Sequence, residues 1–575
     1  MARLQRGLGV ALATAGLAWA QPAFVEVGEA RGLPPGSAKR AQLLDLDGDG
    51  WLDAVIDHQR IYLNRPAEGG RRFEPVADPG LLPDATVPTV LLLADLDQDG
   101  RRDAVLGYTQ DPSDPKFQDP GVRSHVRLRE DGFAFRALEP YPAPEGRDLG
   151  SLADVDRDGW LDLLVGSSYR DGERALEAYP LRLFRGQPGG RFAEATDALG
   201  LTLSPEAGRP DSRRPVFGTA AGDLDGDGWP DLLVAAYGRQ RNLLYLNQGH
   251  PGFVERGLAT GFAGDADTSG VYPESTKRMW VERFGEERQD EPPFRANGNT
   301  FTIALADFDN DGDQDAFLGE VTHAWAGPSS DRSGLLVNTG PPEFRLERSI
   351  AYGARDHSDP NWNEGDLYAT WLDYDNDGWQ DLLLASGDYP TPKQYLRLYR
   401  QVAPGRFEEV TEQAGFGGWH NCGAVSVGDV DKDGDVDVLV GTTTFRMSPE
   451  ARKAHVVRPA LFENRVGTTN RWLNLRLVGA GAARGGANPD AVGAKVVLTA
   501  GGLTQTRWLH AGHGHHGRSD ALELAFGLGQ ARRIERLEVH WPNRAGSVSV
   551  FEDLAPNRFL RIEERGERLV DLGYF

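Results

Sequence analysis

Short apolar runs recur along the chain at 54–56, 104–106, 163–165, 232–234, 316–318, 382–384 and 438–440, each directly behind an acidic, glycine-containing stretch. Their brevity and their Val and Leu content predict buried strands, since an amphipathic helix needs a longer run with a period of about 3.6 residues. Apolar residues also lead into the acidic stretches, as at 91–94 and 425–427, so each stretch is expected to join two strands. A third strand of alternating character follows, clearest at 61–64, 243–247, 396–399 and 461–464. A Gly-rich turn then leads to a fourth strand that opens on Phe. Phe73, Phe192, Phe253, Phe344 and Phe407 mark it, with Phe133 or Phe135 as a degenerate copy. Four strands per repeat, with repeats 50 to 84 residues apart, are the pattern of propeller blades rather than of a sandwich.

The ends of the array indicate how it closes. A fourth-strand sequence, Phe24-Val25-Glu26-Val27, precedes the first acidic stretch, and none follows Asn464. The expected fold is therefore all-β: a seven-bladed β-propeller over residues 21–466, closed by the N-terminal strand, which removes exposed sheet edges. A small C-terminal β domain is expected over 467–565, with alternation at 472–478, 495–499, 522–526 and 536–541, followed by a tail at 566–575. The sequence leaves the docking of that domain on the propeller open.

The acidic stretches carry the chemistry. Each reads Asp-x-Asp-x-Asp-Gly-x-x-Asp: Asp45, Asp47, Asp49 and Asp53; Asp95, Asp97, Asp99 and Asp103; Asp154, Asp156, Asp158 and Asp162; Asp223, Asp225, Asp227 and Asp231; Asp307, Asp309, Asp311 and Asp315; Asp373, Asp375, Asp377 and Asp381; Asp429, Asp431, Asp433 and Asp437. A sixth-position Gly permits the sharp turn that brings the carboxylates together. The seventh residue, Trp51, Arg101, Trp160, Trp229, Asp313, Trp379 or Asp435, is expected to add its carbonyl, so the side chains of Asp313 and Asp435 are not counted as ligands. A hard, flexible, all-oxygen cage of this kind suits Ca²⁺ better than magnesium or a softer metal, which predicts about seven structural calcium sites on one face. The formal net charge of −24 supports this: seven divalent cations bring it to −10, a balance that disfavours nucleic-acid binding.

The repeated loops resemble the FG-GAP or VCBS repeats of integrin α-subunit propellers over about residues 22–466. Further on, Asn470-Arg471-Trp472-Leu473-Asn474-Leu475, Asn488-Pro489-Asp490-Ala491-Val492-Gly493, Phe526-Gly527-Leu528-Gly529 and Val539-His540-Trp541-Pro542-Asn543 resemble the ASPIC and UnbV domain. Together they are similar to the cartilage acidic protein family and its bacterial secreted relatives. Two departures stand out: Asn543-Arg544 precede Ala545-Gly546 where that family usually shows an earlier Gly, and His515 holds an aromatic position.

Residues 1–20, with Arg3, Arg6, an apolar core at 8–19 and Ala18-Trp19-Ala20, read as a secretory leader cleaved near Ala20. The apolar core is too short to span a membrane. A secreted, periplasmic or cell-surface protein is expected, and Cys422, the single cysteine, allows no internal disulfide. His510, His513, His515 and His516 offer nitrogen ligands for a transition metal, with a polar Gly/His loop as the competing account. No recognisable catalytic motif occurs. The expected function is a monomeric, non-enzymatic binding module for an extracellular protein or glycan, using the face away from the calcium, where Trp280, Trp325, Trp362 and Trp419 lie in connections between blades. The alternative is an exported polysaccharide-acting lyase or hydrolase built on Glu320, His323, Glu364 and His420. An integrin-like reading needs an incomplete metal shell, and all seven loops look complete.

Overall fold

The computed structural model describes residues 22–82, 87–108, 125–130, 134–138, 149–168, 178–203, 213–238, 240–249, 252–264, 271–272, 274–290, 298–323, 331–340, 345–349, 363–386, 396–419, 422–443, 453, 457–466, 469–515, 521–566 and 568–573. The leader, Phe133, Phe344, Trp325, Trp362, His420 and His516 lie outside them.

The chain is mostly β, in a propeller-like repeat of four-stranded antiparallel sheets. The first unit runs Ala41–Leu44, Asp53–Ile56, Arg60–Ala67 and Gly70–Pro75, and the second Val90–Ala94, Asp103–Gly107, His125–Arg129 and Phe135–Ala137. The third comprises Leu149–Ala153, Asp162–Gly166, Arg182–Gln187 and Arg191–Glu194, and the fourth Val216–Gly222, Asp231–Ala236, Leu243–Asn247 and Phe253–Glu255. The fifth is Thr300–Ala306, Asp315–His323, Gly334–Asn338 and Leu346–Ser349, and the sixth Asn363–Leu372, Asp381–Ser386, Leu396–Ala403 and Arg406–Glu409. Cys422–Gly428, Asp437–Thr442 and Ala460–Asn464 form the seventh with Phe24–Glu26 as its outer strand, Phe24 opposite Asn464. The two inner strands of a unit face neighbours on both sides, and Val90–Ala94 and Asp103–Gly107 are buried at every position. Outer strands bury one residue in three to six, as Gly70–Pro75 buries only Phe73.

Burial between units supplies the cohesion. Leu164 and Leu183 of the third unit pack on Leu232 and Tyr245 of the fourth, and Leu233 and Leu244 there meet Ile303 and Leu336 of the fifth. Phe317 and Leu335 pack on Leu382 and Tyr399, Leu383 and Leu398 on Val438 and Phe462, and Leu439 and Leu461 of the seventh on Leu43 and Tyr62 of the first. Polar side chains stitch the same seams. Asn64 donates to the Val430 carbonyl at 2.9 Å, Asn247 to Val155 at 2.8 Å, Asn338 to Leu224 at 2.7 Å, Gln401 to Phe308 at 2.8 Å and Asn464 to Tyr374 at 2.6 Å. Each sits at or near the end of a third strand and reaches the second residue of the preceding unit's acidic loop. Arg129 and Gly186 occupy this place in the second and third units. Because Asn338 also donates to the Gln314 carbonyl at 3.0 Å, Asn338→Ala is expected to cost about 2–3 kcal/mol in urea unfolding. A loss below ~1 kcal/mol would show that the seam does not depend on it.

The C-terminal domain stacks two four-stranded sheets. One orders Leu524–Gly529, Arg471–Val478, Arg558–Glu563 and Arg568–Asp571, and the other Leu503–Trp508, Lys495–Ala500, Ile534–His540 and Val548–Leu554. Arg568–Asp571 pairs with Arg558–Glu563, so residues read as the start of a tail belong to this sheet. Val496, Leu498, Phe526 and Val539 share one continuous core with Leu91, Val105 and Leu163 of the propeller-like part. A helix, Glu274–Phe284, lies in the connection between the fourth and fifth units and was not foreseen from the sequence.

Candidate metal centre

Each acidic stretch is the turn between the first and second strands of its unit, and its backbone is the same seven times. Gly50, Gly100, Gly159, Gly228, Gly312, Gly378 and Gly434 lie at φ between 88° and 100°, as a sixth-position glycine should. A second left-handed residue was not foreseen: position four, Gly48, Gln98, Arg157, Gly226, Asn310, Asn376 or Lys432, has φ between 53° and 80°. Four of its five larger side chains offset that strain by reaching the next loop. Gln98 donates to the Gly159 carbonyl at 2.7 Å, and Asn310 and Asn376 donate to Gly378 and Gly434 at 3.1 Å, while Arg157 stacks 4.6 Å over Trp229.

The carboxylates divide the work. Position-nine Asp is buried in every loop and accepts two backbone N–H groups, one from the second loop residue and one from the third strand. For Asp231 these come from Leu224 at 2.9 Å and Asn247 at 2.8 Å. Position-one Asp accepts the sixth-position glycine amide, as Asp154 does from Gly159 at 2.9 Å. The seventh residue donates its N–H to position five, as Trp51 does to Asp49 at 2.9 Å and Asp435 to Asp433 at 3.2 Å. Remaining oxygens converge. Asp45, Asp47 and Asp53, like Asp154, Asp156 and Asp162, bring ligand atoms within 4.8 Å of one another, as do positions one, three and five in the loops from Asp95, Asp223 and Asp307.

Without a cation this arrangement is electrostatically costly. Burial, reinforced by neighbouring carboxylates and opposed by backbone N–H groups, pushes Asp53 up to about 8, Asp103 to about 7 and Asp315 to about 9. Asp162, Asp231, Asp381 and Asp437 are raised well above the usual carboxylate range, for the same first cause. Among the described residues, one oxygen each of Asp223, Asp309, Asp375, Asp429 and Asp431 is buried with no hydrogen-bond partner. Such groups call for a missing partner, and an all-oxygen anionic set fits a hard divalent cation. Arginines take outward-facing oxygens: Arg65 pairs with Asp47 and with Asp49 at 2.7 Å, and Arg400 with Asp375 at 2.7 Å and Asp377 at 2.9 Å.

The C-terminal domain lies directly on this face. Arg476 pairs with Asp45, Asn474 donates to Asp429 at 2.9 Å, and Asp490 accepts the Asp95 N–H at 2.7 Å. Arg544 donates to the Asp156 carbonyl at 3.3 Å, Lys495 to that of Gly312 at 3.3 Å and Asn470 to that of Asp375 at 2.8 Å. Lys495 also offsets Asp223, and buried Arg507 offsets Asp307 and Asp373. One domain therefore contacts six of the seven loops and sets the charge of Lys495 toward the fourth.

A segment of this domain runs on among the innermost strands. Gly514–His515 pairs with Gly218 and Thr219, and Ala511 bridges Leu152. His515 stacks on Phe217 at 5.9 Å, packs against Phe301 and Tyr368 at 4.9 and 5.3 Å, and has Nδ1 2.7 Å from the Phe217 carbonyl. Burial, with the Arg40 charge adding, pushes its pKa down to about 3, so it is a neutral packing group. His510 instead faces Gln314 at 3.1 Å, its ring 6.4 Å from His513. Among the described residues, His515 is thus set apart from His510 and His513. Elsewhere, Glu320 is buried and accepts the Thr300 hydroxyl at 2.7 Å, while Glu364 pairs with Arg332 at 3.0 Å. Trp419 packs on Phe462 and Trp280 on Phe284.

The ASPIC and UnbV family model matches residues 484–569, and the FG-GAP-like repeat model matches 154–234 and 373–440. The chain thus carries FG-GAP-like repeats and an ASPIC and UnbV domain. Its similarity to named proteins is distant: integrin alpha-5 of Xenopus laevis is 32% identical over 164 residues, 26% of this chain and 15% of that protein. Cartilage acidic protein 1 of Mus musculus is 31% identical over 179 residues, 29% of this chain and 26% of that protein. The chain therefore spans about a quarter or less of these relatives. The solved exotype rhamnogalacturonan lyase YesX aligns over 77% of this chain and 76% of its own at 11% identity, with a TM-score of 0.37, too loose a likeness to carry an argument.

Proposed function

We propose that this FG-GAP-like repeat chain is an exported, closed seven-bladed propeller in which each acidic loop holds one structural Ca²⁺, and that it serves as a non-enzymatic binding module for an extracellular protein or glycan. The observation that carries this reading is the cover over the loops. Six of the seven loops touch the C-terminal domain and the fourth faces the charge of its Lys495, so a cation there cements two parts of one chain and is poorly placed to reach a partner's carboxylate, as an adhesion metal must. Partner contact falls to the opposite face, where connections between units emerge. A second reading, a polysaccharide-acting enzyme, keeps one favourable observation: Thr322 pairs with Glu364, which sets Glu364 and Arg332 beside the strand bearing Glu320.

The test pairs stability with binding. Asp225→Ala is expected to lower the melting temperature while leaving calorimetric binding to any glycan or protein ligand found by array screening unchanged. Loss of binding with an unchanged melting temperature would overturn the structural role of the metal. Steady release of reducing or unsaturated ends from a polysaccharide panel, abolished by Glu364→Gln, would favour the enzyme.

A further inference from the structure

The seventh acidic loop differs from the other six in where its seventh residue goes. Asp435 is 0% exposed, and neither of its carboxylate oxygens has a hydrogen-bond partner. Its neighbours are Asp433, Asp429 and Asp431, the loop's own ligand candidates. Five other loops carry Trp or Arg at this position, and in the fifth loop Asp313 is half-buried and turned over Gly340. The C-terminal domain packs directly on the turn that precedes Asp435. The Trp472 indole lies against Gly434, filling the space a side chain would need, whereas Gly312 in the fifth loop has open space around it. With solvent closed off above, the Asp435 side chain shares the enclosed space of the loop's other carboxylates.

The same loop holds further buried oxygens without partners: Asp429 Oδ1, Asp431 Oδ1 and, from the C-terminal domain, Asn474 Oδ1. Neighbouring cations are committed elsewhere. Lys432 is paired with Glu523 at 2.8 Å, and Arg31 divides itself between Glu463 and the outward oxygen of Asp431 at 3.3 Å. Affinity for a hard cation rises with the number of charged ligands and with rigidity.

We propose that the seventh loop holds its cation with five carboxylates rather than four, Asp435 adding its side chain to Asp429, Asp431, Asp433 and Asp437, and that it is the tightest calcium site in the ring. This rests on the reading of the loops as calcium sites. The same excess negative charge selects for a trivalent lanthanide, which makes a useful probe.

Intact protein dialysed against buffers of falling free calcium, with bound calcium counted by elemental analysis, tests it. One ion per chain should persist at free calcium at least tenfold below the level that strips the others. Asp435→Asn should release that ion with the rest. A last ion held equally tightly by Asp435→Asn, or no last ion in the unmodified protein, overturns the proposal. If no calcium binds even at millimolar concentration, the reading of the loops themselves fails instead. Should Asp435→Asn not fold, one equivalent of Eu³⁺ on the unmodified protein decides through its luminescence lifetimes in H₂O and D₂O. At most one coordinated water is expected, and several waters overturn the proposal.

Discussion

Removing divalent cations is expected to take away most of the protein's folding stability. Extracellular sites of this ligand type bind with Kd of roughly 10⁻⁴ to 10⁻³ M, so ~10 mM calcium stabilises each site by about 1.4–2.7 kcal/mol through linkage. Seven such sites together amount to roughly 10–19 kcal/mol, as large as the net stability of a typical folded domain, about 5–15 kcal/mol. Position-nine carboxylates, buried in pairs of backbone N–H groups but crowded by their neighbours, are what the cation relieves. A chelator should therefore lower the melting midpoint by at least ~10 °C, with about seven calcium ions per chain counted in the loaded protein. No shift, with one or two ions bound, would mean that most loops are solvated turns held by their internal hydrogen bonds alone.

The second large effect is expected at Gly434. Alanine there meets two penalties: a left-handed backbone at φ 100°, and the Trp472 ring, which already occupies the space of the new methyl group. Gly312→Ala is the matched control, since Gly312 has φ 98° and nothing near the methyl position. The control should lose only the backbone term, about 1–2 kcal/mol. Gly434→Ala should lose ~4 kcal/mol or more, because Trp472 is the anchor that seats the C-terminal domain on the seventh loop. Chemical denaturation of both variants separates the two terms. Equal losses would show that Trp472 yields easily and is no anchor.

What could be read in the sequence is what nine consecutive residues encode. A loop such as 223–231 contains its own turn glycine, its carboxylates and its exit strand, so local pattern was enough to place strands and candidate ligands. The seam asparagines were not read, although Leu63-Asn64, Leu246-Asn247 and Glu463-Asn464 repeat the signal, because each acts on a carbonyl in another unit. Asn64 donates to Val430, 366 positions away. Left-handed position four was hidden by Gln98, Arg157 and Lys432, residue types that do not announce such a turn. Placement of the C-terminal domain left no periodic trace at all: Arg476 on Asp45 and Asn474 on Asp429 are single contacts that only the assembled surfaces define. The same holds for His515, whose surroundings of Phe217, Phe301 and Tyr368 come from three different units. Helix Glu274–Phe284 escaped because it lacks a sustained apolar stripe and Arg288, stacked 4.5 Å over Trp280, lies beyond its end.

The pairing of Phe24 with Asn464 sets a clock on folding. At a synthesis rate of about 5–20 residues per second, the strand made first waits roughly 20–90 s before its partner exists. Until then Phe24–Glu26 and the last-made strand are open edges, and contacts this distant in sequence are slow to find even when both halves are present. This last strand pairing is thus the most vulnerable moment of folding, and a chain stalled before residue 460 would be a ready template for joining its neighbour's edge instead of its own.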